Sequence, residues 1–105
     1  MIPNYALEQF YSALRQMACR NERLQRRLEY AYAELEPLIA ADFPDDMGEK
    51  FRDLMSRLTR EGSISKTTAA MSDHEAAAVA SLLLNLFFSL EAVNKAEADA
   101  QVLKE

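Results

Sequence analysis

Between Tyr5 and Leu38, the residues Leu7, Phe10, Leu14, Met17, Asn21, Leu24, Leu28, Ala31, Leu35 and Leu38 recur at alternating steps of three and four. That spacing lines one face of an α-helix. No Gly or Pro interrupts the run before Pro37, whose missing N–H, with the restriction it places on Glu36, kinks or ends a helix. The pattern predicts one helix of about thirty residues, roughly 45 Å long at 1.5 Å per residue. Asn4, just after Pro3, is its expected cap. Asn21 is the polar member of the seam, and a buried amide at such a position fixes register and partner number by pairing with a matching amide.

Leu38, Ile39 and Phe43 are apolar enough to tuck a short connection under the bundle end. Asp42, ahead of Phe43 and Pro44, reads as the next cap, with Asp45 and Asp46 at the positive end of the helix that follows. Met47, Phe51, Leu54, Met55 and Leu58 give that second, shorter helix one apolar face, and Gly62 is its natural left-handed terminator. The segment from Ser63 to Met71 is rich in hydroxyls that compete for backbone hydrogen bonds and reads as a loop with at most one helical turn. Ser72 and Glu75 then form a capping-box signature. The third helix runs from Asp73 to about Leu103, with Val79, Leu82, Leu83, Leu86, Phe87, Leu90 and Val93 on one broad face. Leu84 and Phe88 point away from that face.

The composition agrees with this reading: half of the 105 residues are hydrophobic, while only two are Gly and three are Pro. Long helices suit such a chain and a β-fold lacks its turns. One domain, residues 1–105, is expected. The net charge of -5 sits in the second half, because residues 1–41 balance five Arg against five acids. An acidic balance disfavours nucleic acid. Cys19 is the single cysteine, which excludes a disulfide within the chain or a zinc framework and fits a reducing cytoplasm. The N-terminus lacks the pattern of a secretory signal. The apolar window from Ala76 to Val93 approaches spanning length, but Ser81, Asn85, Ser89 and Glu91 interrupt it and no cluster of Lys or Arg flanks it. It reads as a bundle helix, and no membrane is expected.

Candidate chemistry is sparse. His74 is the lone histidine, and the positions three and four residues away are Ala70, Met71, Ala77 and Ala78, none of which binds a metal. Asp42, Asp46, Glu49 and Asp53 share a side of the second helix with Lys50 and Arg57, in the acid-before-base order of an exposed, ion-paired face. No nucleophile elbow, phosphate loop or Glu-x-x-His pair occurs. The sequence therefore predicts no catalytic residue, cofactor or metal, and no enzyme. Arg15, Arg20, Arg23, Arg26 and Arg27 cluster opposite the seam, a possible basic face that Glu22 and Glu29 dilute. Tyr30 is placed to cover the Arg26 guanidinium. The segment from Leu58 to Met71 resembles the Gly-apolar-Ser-x-x-Thr turn of helix-turn-helix proteins, with Ser63 adding a residue before Ile64.

The expected architecture is all-α: three helices, long, short and long, in a bundle completed by dimerisation. A short second helix cannot cover the seam, and the third helix is apolar nearly all round. Leu7, Phe10, Leu14, Met17, Asn21, Leu24 and Leu28 are then the dimer seam. Ala77, Ala80, Ser81, Leu84 and Phe88 form a second face, small residues below large ones, for a partner or an interface. The functional expectation is a non-enzymatic helical module that binds a protein, as an adaptor, a chaperone or an inhibitor of the kind phages direct at host proteins. The alternative is a dimeric DNA-binding regulator that uses the Arg face or the segment from Ser63 to Met71.

Overall fold

The computed structural model describes residues 4–44 and 46–103. Pro3, Asp45 and the cap expected from the Asn4 side chain lie outside the described residues. Among the described residues five helices follow one another: α1 (Asn4–Cys19), α2 (Leu24–Leu35), α3 (Met47–Leu58), α4 (Ile64–Ala70) and α5 (Asp73–Leu103), with a 3-10 turn at Ala40–Asp42. The all-helical class is as expected, and the count of three is not.

The first correction is to the seam. It breaks at four consecutive polar residues, Arg20, Asn21, Glu22 and Arg23, and α2 folds back along α1. Gln9 Nε2 donates to the Glu34 carbonyl at 2.7 Å, and Arg27 Nη1 donates to the Met17 carbonyl at 2.7 Å, so the pair is antiparallel. The Arg27 bond satisfies a carbonyl that the end of α1 leaves without an intrahelical partner. Arg20 holds the reversal: it grips Glu22 through Nε (3.2 Å) and Nη2 (3.0 Å) and lies 3.5 Å over the Tyr30 ring. Arg26, expected over that ring, is farther from it at 5.3 Å.

Apolar positions that one continuous helix would align on a single face therefore meet across a hairpin. Leu7, Phe10, Leu28, Ala31 and Leu35 are buried, and Leu14, Met17 and Leu24 pack half-buried around them. The seam assigned to a dimer is closed within one chain. Asn21 is exposed in the reversal, where it can fix no register.

The expected end before Pro37 is observed, since α2 stops at Leu35 with Glu36 as its C-cap. Asp42 does not cap α3. Its Oδ2 accepts the Ile39 N–H at 2.8 Å and closes the 3-10 turn, while Asp46 holds the cap position without a side-chain bond to the backbone of α3. Leu38 and Phe43 are buried as expected, but Ile39 is 62% exposed. Phe43 stacks on Phe51 at 4.7 Å and meets Phe10 edge-on at 6.0 Å, joining α1 to α3. Gly48, in the first turn of α3, is pressed against the 3-10 turn: a Cβ there would lie 2.7 Å from the Ala40 carbonyl oxygen. Gly62 has φ +100° and donates to Thr59 at 2.9 Å, completing the turn after α3.

The hydroxyl-rich segment is a helix, not a loop, because its hydroxyls serve the helix instead of competing with it. Ser63 Oγ accepts from Lys66 N. Buried Thr67 donates to the Ser63 carbonyl at 2.7 Å and accepts the Glu61 N–H at 3.1 Å. The capping residue of α5 was legible: Ser72 Oγ accepts the Glu75 N–H at 3.1 Å. Buried Gln25 joins the starts of α2 and α5, donating to the Met71 carbonyl (3.2 Å) and to Asp73 Oδ1 (2.8 Å).

Candidate interaction face

Helix α5 has 31 residues, about 46 Å at 1.5 Å per residue, and runs the length of a body that measures 52 × 26 × 21 Å. It packs against α1, α2 and α3. Ala76, Val79, Leu83, Leu86, Phe87 and Leu90 are buried in that contact. The opposite face carries Ala77, Ser81, Leu84 and Phe88, all exposed, with half-buried Ala80 beside them. Leu84 is 39% exposed and Phe88 53%. Full burial of such side chains contributes roughly 1.5 to 3 kcal/mol each, and a single chain leaves much of that unrealised.

Both flanks of this stripe are concave. Toward α1, Tyr11 sits edge-on to Phe87 at 5.1 Å and donates its hydroxyl to Glu91 Oε2 at 3.1 Å. The bond to that carboxylate, and its charge, hold the Tyr11 pKa above its ordinary value. Leu7, Tyr11, Phe88, Ala92 and Lys95 line an open hollow of about 680 Å³ here. Toward α3 lies a groove of about 440 Å³ with Leu54, Leu82 and Leu86 in its floor and Asn85 and Ser89 on one wall. Asp46, Glu49, Lys50 and Asp53 form the other wall. Asp46 pairs with Lys50 at 3.8 Å and Asp53 with Arg57 at 3.0 Å, the order expected of an exposed helix face.

The Arg cluster does not form one free surface. Arg20 is held by Glu22 and Tyr30, Arg23 by Asp73 (3.0 Å), Arg26 by Glu29 (2.7 Å) and Arg27 by the Met17 carbonyl, while Arg15 is exposed. The segment from Ser63 to Met71 is occupied as well: α4 has seven residues, lies against α2 and buries Thr67 and Thr68.

His74 is exposed in the first turn of α5. Among the described residues, no group of three or more His, Cys, Asp or Glu side chains is placed to hold a metal ion. The stretch Asp73–Asp99 is long and apolar enough to cross a membrane, although its inner face forms part of the bundle core. Comparison of the chain with family models, with curated proteins and with solved structures finds no match.

Sequence reasoning missed the concave flanks, since they depend on which elements lie beside α5. It also missed Gly48, whose signal was present: a Gly inside a helix costs about 1 kcal/mol relative to Ala and calls for a packing reason.

Proposed function

We propose that this chain is a non-enzymatic helical protein-binding module that acts as a homodimer, with the outer face of α5 as its docking surface. The observation that carries the reading is the exposure of Leu84 and Phe88, one turn apart on the longest helix, above the small residues Ala77, Ala80 and Ser81. Side chains four apart on a helix lie one above the other, and small residues below them let a second backbone approach closely. With that face taken up by the homodimer, the groove beside it between α3 and α5, with Leu54, Leu82 and Leu86 in its floor, is the surface left for a segment of the protein that an adaptor, a chaperone or an inhibitor binds. Exposed Cys19, single in the chain, suits a reducing cytoplasm.

A DNA-binding regulator draws less support. Four of the five arginines that would grip phosphate are engaged within the chain.

The test is the double variant Leu84→Ser/Phe88→Ser. Sedimentation at high micromolar concentration should show a dimer for the parent and a monomer for the variant, with unchanged helical circular dichroism. A variant that remains dimeric removes the outer face of α5 from the reading.

A further inference from the structure

We infer that the inner face of α2 accepts α1 of a second copy of this chain in place of its own, residues 20–23 becoming helical, so that two chains exchange their first helices. The inference goes beyond the reading above and uses no part of the outer face of α5. The phase of the seam carries it. A hairpin needs an apolar stripe on each of its helices but sets no relation between the two stripes, because the chain turns back between them. Here the steps of three and four run on without slip through the break, from Met17 through Asn21 to Leu24. A helical residues 20–23 would therefore place both stripes on one face of one long helix.

The ends that meet at the reversal are those of an interrupted helix. No glycine follows α1 at Cys19, and Arg23 holds the N-cap position of α2 with no side-chain bond to the first turn. By contrast, Ser63 and Ser72 cap the starts of α4 and α5. Residues 20–23 contain neither Gly nor Pro, and Arg and Glu are good helix formers. Continuing the helix gives the backbone groups at both ends intrahelical partners. Side chains hold the closed form instead: Arg20 on Glu22 and Tyr30, and Arg27 on the Met17 carbonyl.

The exchanged pair closes on itself. In the hairpin Gln9 lies level with Glu34 and Met17 with Arg27, so the midpoint of the pairing falls at Asn21 and Glu22. Two long helices running antiparallel, with that midpoint on the two-fold axis, set α1 of each copy on α2 of the other. The two Asn21 amides, each able to donate and accept, then lie within about one helical turn of each other, so the polar member of the seam meets its own kind. Phe10 finds Phe43, and Tyr11 finds Phe87, in the second copy as they do in the first. Asp73 lies beside Arg23 at the reversal, and Glu91 reaches Tyr11 farther along α1, so the two bodies extend from the axis in opposite directions. Exchange of identical elements is a low-cost route to a dimer because it remakes the same contacts. A short tether holds α1 at an effective concentration in about the millimolar range. The closed chain therefore prevails in dilute solution, and exchange follows opening of concentrated chains.

The test uses the Leu84→Ser/Phe88→Ser background, which removes the outer face of α5 from any dimer. The chain is unfolded in denaturant, refolded at millimolar concentration, diluted and sized at once by chromatography with light scattering. Circular dichroism of each diluted sample checks that the helices have re-formed. Concentrated refolding should give a dimer that survives dilution and decays to monomer on warming, whereas refolding at low micromolar concentration should give monomer. Asn21→Gly/Glu22→Gly suits a reversal but not a helix and should lower the dimer yield about tenfold or more, since each of the two long helices takes up both glycines. Arg20→Ala/Glu22→Ala releases the clamp on the reversal and should raise the yield. Monomer alone after concentrated refolding of the background and of the alanine variant overturns the inference. A dimer whose yield is indifferent to the glycines also overturns it. Neither result bears on the outer face of α5, which sedimentation of the parent that has not been refolded decides.

Discussion

Leu83 and Leu84 are adjacent and identical in chemistry, yet Leu83 is wholly buried and Leu84 is 39% exposed. The difference belongs to the two faces of α5 on which they lie. The inner face meets α1, α2 and α3 and is part of the core, whereas among the described residues nothing packs over Leu84 and Phe88 closely enough to bury them. A soluble helix normally alternates apolar and polar faces, so an outer stripe with Leu84 and Phe88 at its centre is a cost to the isolated chain that a second helix would offset. The contrast between these two faces is the main physical content of the functional reading.

The sharpest test of it compares truncations at the two neighbours. Leu83→Ala should destabilise the fold by about 2 to 5 kcal/mol, through lost transfer energy and a residual cavity, and lower the melting temperature by roughly 8 °C or more. Leu84→Ala, melted in dilute solution where the chain is monomeric, should cost less than about 1 kcal/mol, since its site is already open to water. Equal losses at the two positions would break the comparison.

Acid provides a smaller effect, at the end of the hairpin rather than on either face. The Gln25 amide and then the Arg23 guanidinium hold the Asp73 carboxyl below the usual carboxylate range, and Arg60 does the same to Glu75. Groups depressed in the folded state add stability above their unfolded pKa, near 4, and that stability is lost as pH falls through the lower folded values. Thermal melts should be level from pH 7 to about pH 5 and decline below about pH 4. Asp73→Asn/Glu75→Gln should flatten part of that decline.

The smallest effect is expected at Asn21. An exposed residue in the reversal between α1 and α2 should tolerate Asn21→Leu within about 0.5 kcal/mol in a denaturant titration. A large gain in stability would return it to a buried position and reopen the continuous first helix.

Local chemistry was legible at most of the helix ends, Asp42 excepted, which closes the 3-10 turn instead of capping α3. The all-helical class followed from apolar spacing and scarce Gly and Pro, the end of α2 from Pro37, the turn after α3 from Gly62 and the start of α5 from Ser72 and Glu75. The exposed stripe at Leu84 and Phe88 was also visible, because an apolar helix with two opposed faces shows a surplus whatever its partners. Steps of three and four could not reveal the hairpin. They are satisfied equally by one long helix and by two helices whose inner faces meet, and the sole local sign of the break was the polar run from Arg20 to Arg23. The tertiary structure decided between these, because Arg27 on the Met17 carbonyl and Arg20 on Glu22 and Tyr30 stabilise a reversal through residues distant in the seam. It likewise decided that Ile64–Ala70, within the segment from Ser63 to Met71, is a helix, since Thr67 and Thr68 are driven inward by packing against α2 that no short-range propensity encodes.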